Sequence, residues 1–311
     1  MNKLISVVTP CYNEEDNIAD IYQQVKAIFT HLPQYHYEHV FIDNHSTDHT
    51  VAILKKLALH DKNIKIIVNS RNFGHIRSPF YALLQAQGDA VISIVADLQD
   101  PPTLIPEFLK QWEAGYKIVV GVKPTAQENF FMAAFRRLCY RVFSKLTNIK
   151  QIKNFTGFGL YDRSFIEILR QFDEPYPYFR GLVSEVGFDV LEIPYTQPAR
   201  KKGITKNNLF TLYDIAMLGL TSYSKVPMRL ATSLGFILGA ISLVVSIIFI
   251  FLKLMFWNSF GIGVAPILIG IFFFAAIQLF FIGILGEYIA AIYVRVQNRP
   301  LVIEEERINF E

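Results

Sequence analysis

The chain has 311 residues, of which 52% are hydrophobic and 18% are charged, and its formal net charge is +3. That charge is too small to indicate nucleic-acid binding by itself, and the apolar fraction is high for a soluble protein. The two cysteines, Cys11 and Cys139, provide no disulfide framework and are typical of a reducing compartment. The apolar residues concentrate in the last third, which predicts a globular domain followed by a membrane segment.

The first 225 residues alternate between short β-branched runs and helical patterns. Segments 16–29 and 50–59 carry cap candidates and helical spacing, so they are predicted helices. The alternation predicts an α/β domain with a mostly parallel sheet and helices on both faces. Ligands of such sheets bind at the carboxyl ends of the strands, so the residues after each strand are the informative ones. The predicted strands are Ile5–Val8, His39–Ile42, Ile64–Val68, Ala90–Val95 and Lys117–Val120.

Carboxylates and amides follow three of these strands. They occur in Thr9–Glu15 after the first strand, in Asp43–Asp48 after the second, and in Ala96–Pro102 after the fourth. Such oxygen ligands suit Mg²⁺ or Mn²⁺, which bridges a diphosphate and neutralises charge on a departing nucleotide. Asp and Asn are also common turn residues, so any single loop is a weak indication. Three such loops at one edge of the sheet favour a metal-dependent phosphate site.

The C-terminal third is predicted to be a membrane hairpin. Residues 230–286 contain a single charge, Lys253, and the runs 230–252 and 264–286 are each long enough to cross the hydrocarbon layer. Basic residues flank the pair on both sides, so the positive-inside rule places residues 1–225 and the tail 291–311 in the cytoplasm. The chain is then a multi-pass protein of the inner cell membrane. A buried helical hairpin in a soluble protein is the alternative.

Two further segments are predicted to lie in the membrane interface. Between residues 129 and 150 there are five basic side chains and no acidic one, and the apolar residues have helical spacing. A basic amphipathic helix over about 130–148 would place apolar side chains in lipid and cations on phosphates. A helix packed on the sheet with a solvated basic face is the alternative. Segment 208–225, just before the first span, is the second interfacial candidate.

The motifs resemble those of family 2 glycosyltransferases of the GT-A type. With the C-terminal hairpin they are similar to the polyisoprenyl-phosphate glycosyltransferases, which include bacterial undecaprenyl-phosphate glucosyltransferases and dolichol-phosphate mannose synthase. The resemblance implies transfer of a sugar from a nucleotide-sugar, with a UDP-sugar as first choice, to a polyprenyl phosphate such as undecaprenyl phosphate. The product would serve the synthesis or modification of cell-envelope or O-antigen glycans, as in lipopolysaccharide biosynthesis. The matching motifs are V-x-P-x-Y-N-E at 8–14, A-D-L-Q-D-P-P at 96–102, R-x-x-G-x-T-K at 200–206 and N-R-P at 298–300.

The resemblance also implies roles for individual residues. Metal would be held by Asp97 and Gln99, and the catalytic groups would be Asp97, Arg200 and Lys206. Guanidinium and ammonium groups are the usual partners of phosphate. The implied nucleotide-sugar ligands are Pro10, Tyr12, Glu14, Asp43, Asn44, Arg71 and Asp97, and the implied partners of the acceptor phosphate are Lys123, Arg137, Arg141, Arg200 and Lys206.

Three positions depart from the family pattern, because Asn44, Val95 and Asn154 stand where acids are usual. One interpretation is a catalytically impaired binding partner of a membrane glycan-assembly or flippase system. The other is an active enzyme with a different donor, since Mg²⁺ needs only one or two protein carboxylates plus phosphate oxygens. A polyprenyl phosphate is already anionic, so we expect a single inverting displacement without a dedicated base. The sequence names neither the sugar nor the base, and it leaves the oligomeric state open, a homo-oligomer included.

Overall fold

The computed structural model describes residues 3–123, 152–197, 217–219, 221–256 and 264–310. Within these ranges, eight strands form one mixed sheet in the order β7-β5-β6-β4-β1-β2-β3-β8. The strands are β1 Lys3–Cys11, β2 Tyr35–Asp43, β3 Ile64–Asn69, β4 Ala90–Ser93, β5 Ile118–Val122, β6 Phe155–Asp162, β7 Val190–Pro194 and β8 Glu304–Ile308. The α-helices are α1 Ile18–Thr30, α2 Thr50–His60, α3 Gly74–Gln85, α4 Ile105–Glu113, α5 Arg163–Gln171, α6 Phe179–Glu185, α7 Val226–Met255 and α8 Val264–Val296.

The centre of the sheet is parallel, as the sequence predicts. Strand β1 pairs in parallel with β2 and β4, and β2 pairs in parallel with β3. Their carboxyl ends therefore meet at one edge, which we call the carboxyl edge. All five predicted strands are confirmed, and each extends or ends within a few residues of its predicted bounds.

Side-chain alternation along the central strands supplies two hydrophobic cores, one on each face of the sheet. On β2, Phe41 packs into one core, whereas its neighbours Val40 and Ile42 pack into the other. Successive residues of a strand point to opposite faces, so a strand buried on both faces is apolar throughout. The two cores therefore hold the central strands, from whose ends the loops of the carboxyl edge begin.

Strands β6, β7 and β8 lie outside the predicted set. Strand β8 falls in the segment predicted as a tail, and it pairs antiparallel with β3, with Glu304 opposite Asn69 and Ile308 opposite Ile66. Most of its side chains are exposed or half-buried, so its sequence lacks the apolar alternation that marks a strand. Two side-chain bonds also hold it, from Tyr81 Oη to Glu304 Oε1 at 2.8 Å and from Asn309 Nδ2 to Ile64 O at 2.9 Å.

Helices α7 and α8 expose large apolar side chains. Phe236 on α7 is 76% exposed and Leu279 on α8 is 68% exposed. Among the described residues, one helical segment, Phe273–Val296, is long and apolar enough to cross a membrane, and a shorter apolar segment lies at Val226–Ser242. Helix α8 continues well past residue 286, where the sequence predicts the second span to end. Membrane association is therefore indicated, and the two-span hairpin stays a prediction.

Contacts at the base of α7 and α8 tie both helices to the domain. The hydroxyl of Tyr288, on α8, donates to the carbonyl oxygen of Ser224 at 2.5 Å, just before α7 begins. Near the end of α8, Arg295 forms an ion pair with Glu174. The start of α7 and the end of α8 thus lie together on the same side of the domain.

Some predicted elements lie outside the described residues. They include the interfacial helix at 130–148 and most of segment 208–225, of which residues 217–219 and 221–225 are described and residues 217–219 and 221–223 are helical. The predicted boundaries between domain, spans and tail stay predictions.

The connection between α8 and β8 offers a test of the tail as part of the folded domain. Val302 is 5% exposed and its neighbour Ile303 is 56% exposed. We expect Val302→Asp to lower the free energy of unfolding by about 3 kcal/mol or more, because it buries an unpaired carboxylate. Ile303→Asp is the matched control and should unfold near the wild-type midpoint, measured by thermal unfolding of the detergent-solubilised chain. Equal midpoints for the two variants would contradict the placement of this segment.

Candidate active site at the carboxyl edge

The loops after β1 and β2 are hydrogen-bonded into one unit. The backbone N–H of Asn13 donates to Ser46 Oγ at 2.8 Å, and Asn13 Oδ1 accepts from the N–H of Thr47 at 2.8 Å. The N–H of Glu14 donates to Thr50 Oγ1 at 2.9 Å, at the start of α2. Asn13 has a φ of 55°, a left-handed conformation that Asn tolerates better than most residues. The predicted nucleotide ligands Tyr12 and Glu14 therefore lie on a braced loop at the carboxyl edge.

Asp43 ends β2 and is fully buried. Its carboxylate accepts two hydrogen bonds from Ser46, from the backbone N–H at 2.8 Å and from Oγ at 2.5 Å. Burial raises the pKa of Asp43, and the Ser46 bonds oppose that rise because they stabilise the ionised form. The Asp43 carboxylate thus holds the loop that follows β2. Its predicted contact with the nucleotide stays a prediction.

Asn44 is buried beside Asp43, and its side-chain amide forms hydrogen bonds through both Oδ1 and Nδ2. Oδ1 accepts from Asn69 Nδ2 at 3.1 Å and from the N–H of Phe73 at 2.9 Å. Nδ2 donates to Asn72 Oδ1 at 2.9 Å and to the carbonyl oxygen of Gly74 at 3.3 Å. A carboxylate could accept the first two bonds but could not donate the others. The geometry therefore gives a structural reason for an amide at this position, while its predicted contact with the nucleotide-sugar stays a prediction.

Arg71 lies in the loop that Asn44 holds, at the end of β3. It is exposed, and its guanidinium carbon lies 4.0 Å from the centre of the Phe73 ring. Its Nη1 donates to the carbonyl oxygen of Asn72 at 3.1 Å. The ring and the carbonyl oxygen thus hold this exposed cation beside the loop at the carboxyl edge, and its predicted contact with the nucleotide-sugar stays a prediction.

The loop after β4 carries the predicted metal ligands on a strained turn. Leu98, between Asp97 and Gln99, has a φ of 59°, which costs a branched residue about 1–3 kcal/mol. Leu98 is buried, whereas Asp97 and Gln99 are half-buried, and Asp97 Oδ1 accepts from the N–H of Gln99 at 3.1 Å. The left-handed turn thus buries the leucine and leaves the carboxylate and the amide at the edge.

Asp100 and Tyr195 are site residues that the sequence reasoning did not single out. Asp100 is 3% exposed, and its Oδ1 accepts from the Tyr195 hydroxyl at 2.7 Å. Burial raises the pKa of Asp100, against the hydrogen bond from Tyr195 and the nearby charge of Lys123. Burial in turn lowers the pKa of Lys123, while the charges of Asp100 and Asp97 raise it. The predicted phosphate partner Lys123 therefore lies beside two carboxylates. Asp100 could have been found from the A-D-L-Q-D-P-P motif itself, whereas no sequence signal marks Tyr195.

A cavity of about 200 Å³ opens next to these residues. Its wall includes the predicted ligand Pro10, and also Val95, which is 38% exposed. Apolar side chains from α3, β6 and α6 make up much of the wall, and its polar members are His75, Ser93, Asp100, Thr156 and Arg180. The cavity thus combines a hydrophobic surface with a few polar groups, as small-molecule sites commonly do.

Helix α6 connects the cavity wall to the start of α7. Gly181 follows the cavity residue Arg180 and packs so closely on Tyr223 that a side chain at position 181 would overlap the ring. The rings of Tyr178 and Tyr223 also lie 6.0 Å apart. The cavity is therefore adjacent to the base of the apolar helices.

A metal ion at this edge would need ligands from a bound substrate. Across the described ranges, no group of three His, Cys, Asp or Glu side chains is arranged to hold a metal ion. The carboxylate of Asp97 and the amide oxygen of Gln99 are hard donors, which fit Mg²⁺ or Mn²⁺ completed by phosphate and water oxygens. Four predicted phosphate partners, Arg137, Arg141, Arg200 and Lys206, lie outside the described residues.

Comparison with known proteins identifies related sequences over nearly the whole chain. Residues 6–169 match the model of Glycosyl transferase family 2. An uncharacterized glycosyltransferase of Bacillus subtilis is 35% identical and covers 98% of this chain and 94% of its own length. The bactoprenol glucosyl transferase of Shigella phage SfII is 34% identical, and the match covers 96% of each chain. A prophage bactoprenol glucosyl transferase homolog of Escherichia coli is 32% identical, and the match covers 96% of this chain and 97% of the relative.

Two solved structures illustrate the structural similarity. Glucosyl-3-phosphoglycerate synthase from Mycobacterium tuberculosis, in complex with phosphoglyceric acid, is 19% identical and gives a TM-score of 0.45, covering 70% of this chain and 78% of that chain. A mannosyltransferase from Pyrobaculum calidifontis, in complex with GDP-Man and Mn²⁺, is 16% identical and gives a TM-score of 0.46. The match covers 96% of this chain and 87% of that chain.

The amide of Asn44 can be tested against the carboxylate that the family pattern usually has there. We expect Asn44→Asp to lower the free energy of unfolding by about 1–3 kcal/mol, because it removes two donors and turns a charge toward two oxygens. Asn72→Asp is the matched control, because Asn72 Oδ1 accepts from Asn44 and from the N–H of Gly74, and a carboxylate accepts both bonds. Thermal unfolding and hydrogen exchange of residues 71–74 measure the difference. An Asn44→Asp variant as stable as Asn72→Asp would refute this role.

Proposed function

The chain belongs to glycosyl transferase family 2, and from this membership we propose that it transfers a sugar from a nucleotide-sugar to a polyprenyl phosphate at a membrane surface. The fold is of the GT-A type that the sequence predicts, a mixed sheet with a parallel centre and polar loops at its carboxyl edge. The acceptor follows from relatives named bactoprenol glucosyl transferase, which match 96% or more of this chain. A UDP-sugar is our first choice of donor, and the product serves cell-envelope or O-antigen glycans.

The observation that carries the proposal is the position of the end of α8. Arg77, in the first turn of α3, donates from Nη2 to the carbonyl oxygen of Pro300 at 2.5 Å. Helix α3 begins directly after the carboxyl end of β3, so the chain leaves the apolar helix and reaches the domain at the carboxyl edge. A lipid-linked acceptor in the membrane would meet the site on this side.

The pairing of β8 with β3 supports two spans rather than one. Strand β8 follows α8 along the chain and lies in the same sheet as β1–β3, which precede both apolar helices. If α8 alone crossed the bilayer, β8 and β3 would lie on opposite sides and could not pair. An even number of crossings leaves β3 and β8 on the same side of the membrane, where they can pair. Helices α7 and α8 together would provide two crossings. We therefore propose a multi-pass protein of the inner membrane with the domain and β8 in the cytoplasm.

The chemistry needs positioning and charge stabilisation more than proton transfer. The acceptor phosphate is anionic, so its oxygen can attack the anomeric carbon without a general base, and we propose a single inverting displacement. Asp97 and Gln99 would hold a divalent cation, which would neutralise charge on the diphosphate. Lys123 and Arg180 bring cations to the side of the cavity where Asp97 and Asp100 lie, and their charges affect one another. Such fixed charges stabilise a leaving diphosphate because they are oriented before reaction.

The structural role of Asn44 weakens the alternative of a catalytically impaired binding protein. Loss of usual acids at positions 44, 95 and 154 is what suggests impairment. The amide at position 44 forms three hydrogen bonds to the loop after β3 and one to Asn69 at the end of β3, so it supports the scaffold of the site. Asp97 and Gln99 remain at the edge. We therefore favour an active enzyme whose donor differs from that of relatives with acids at these positions.

A donor-panel assay tests the function. Full-length protein in membranes is incubated with undecaprenyl phosphate and radiolabelled nucleotide-sugars, with and without EDTA, and label is measured in the organic extract. We expect transfer from one UDP-sugar, loss of transfer with EDTA, and inversion at the anomeric carbon of the product. Absence of transfer from every donor would favour the binding role instead.

Asp97 is the carboxylate on which the proposed metal dependence rests. We expect Asp97→Asn to lower the rate of transfer on the order of 100-fold or more, because it removes an anionic ligand while keeping the shape of the side chain. Asp20→Asn, on the exposed surface of α1, is the control and should retain wild-type rate. Full activity in Asp97→Asn would refute the metal assignment.

The proposed topology predicts opposite labelling at two positions. Two cysteines are introduced singly into a cysteine-free background. Ser259→Cys falls in the sequence between the two apolar helices, and Glu305→Cys falls on β8. We expect a membrane-impermeant maleimide to label position 259 in spheroplasts and position 305 only after the membrane is permeabilised. Protection of position 259 until permeabilisation would show that α7 and α8 do not cross as a pair.

A further inference from the structure

Three arginines lie close together at the carboxyl edge. Arg77 and Arg71 share the ring of Phe73, with guanidinium carbons 5.9 Å and 4.0 Å from its centre. Arg77 also donates to the carbonyl oxygen of Pro300, which places it beside Arg299. We call Arg71, Arg77 and Arg299 the arginine cluster. It joins the first turn of α3 to the segment that leaves α8.

The cluster has unmatched positive charge. Among the described residues, none of its three members forms an ion pair with a carboxylate. Burial lowers the pKa of Arg77, and the neighbouring charges of Arg71 and Arg299 lower it further. The Nε–H of Arg77 is buried and finds no acceptor within the described part of the chain. An anion at this place would relieve the mutual repulsion and accept the hydrogen bonds that the guanidinium groups still offer.

The membrane helix fixes the depth of the cluster. The candidate membrane span of α8, Phe273–Val296, ends three residues before Arg299. Three residues span at most about 10 Å, so Arg299 and the side chains against it lie within reach of the headgroup layer if α8 crosses the bilayer. The inference therefore rests on the membrane placement given under the proposed function.

We propose that Arg77 and Arg299 of the arginine cluster bind the phosphate of an anionic phospholipid headgroup, and that this contact holds the carboxyl edge against the bilayer. Guanidinium groups bind phosphate oxygens in a planar fork, and basic pockets at the membrane surface bind anionic headgroups. The headgroup is favoured over a substrate phosphate by the position of the cavity. His75 and Ile76 line that cavity, whereas Arg77 and Arg299 do not.

Lipid binding can be measured without donor, acceptor or transfer. Full-length protein is delipidated in detergent and titrated with phosphatidylglycerol and with phosphatidylcholine, and bound lipid is counted by native mass spectrometry. We expect wild-type protein to prefer phosphatidylglycerol, and Arg77→Gln/Arg299→Gln to weaken its binding by about tenfold. Phosphatidylcholine binding should not change. Arg77→Lys/Arg299→Lys, which keeps the charges, should retain most of the preference.

The matched control is Lys110→Gln/Lys117→Gln. Both lysines are exposed and lie near the opposite edge of the sheet, on α4 and just before β5, so we expect no loss of phosphatidylglycerol binding. Thermal unfolding checks that each variant is folded. If Arg77→Gln/Arg299→Gln does not fold, Arg299→Gln carries the test, because its side chain is exposed and makes no described hydrogen bond or ion pair.

Two results would overturn the proposal. One is equal phosphatidylglycerol binding by wild type and a folded Arg77→Gln/Arg299→Gln variant. The other is unchanged phosphatidylglycerol binding with a higher KM for polyprenyl phosphate, which would assign the cluster to the acceptor. A failure of the transfer reaction leaves the lipid titration unaffected, so the proposed function and the headgroup site are tested separately.

Discussion

The site depends on two adjacent polar side chains that are buried at the end of β2. Asp43 takes its hydrogen bonds from the loop that follows it, and Asn44 takes its bonds from the loop after β3. A buried polar group without partners costs free energy, so both loops are held in the conformations that satisfy these two side chains. Because the loop after β1 is bonded in turn to Ser46, three strand ends form one framework at the carboxyl edge.

The same edge receives the end of the apolar helices. Helix α8 returns to the sheet through Pro300 and β8, and the base of α7 packs on α6, which carries part of the cavity wall. The carboxyl edge and the described ends of the apolar helices are therefore parts of one packed unit. Under the proposed function, this packing would hold the acceptor phosphate at a fixed distance from the cavity, as catalysis by proximity requires.

The sequence predicted those parts of the fold in which local pattern and burial agree. Strands β1 to β5 are β-branched and buried, and the polar residues that follow them lie at one edge, as parallel pairing requires. Strand β8 was not predictable, because Glu304–Ile308 is polar and its strand form comes from hydrogen bonds to β3. The partnership of Asp100 with Tyr195 joins residues far apart in the chain, and the donor role of Asn44 depends on oxygens that only the folded loop supplies.

The place of β8 in the chain has a consequence for biosynthesis. Its residues leave the ribosome after both apolar helices, although its partner β3 is made before them. The outer edge of β3 therefore lacks its partner strand until both apolar helices and β8 itself have been synthesised. An unpaired strand edge is prone to association with other chains. Completion of the sheet thus waits for the synthesis of both apolar helices, and a nascent chain arrested before residue 304 would expose an aggregation-prone edge.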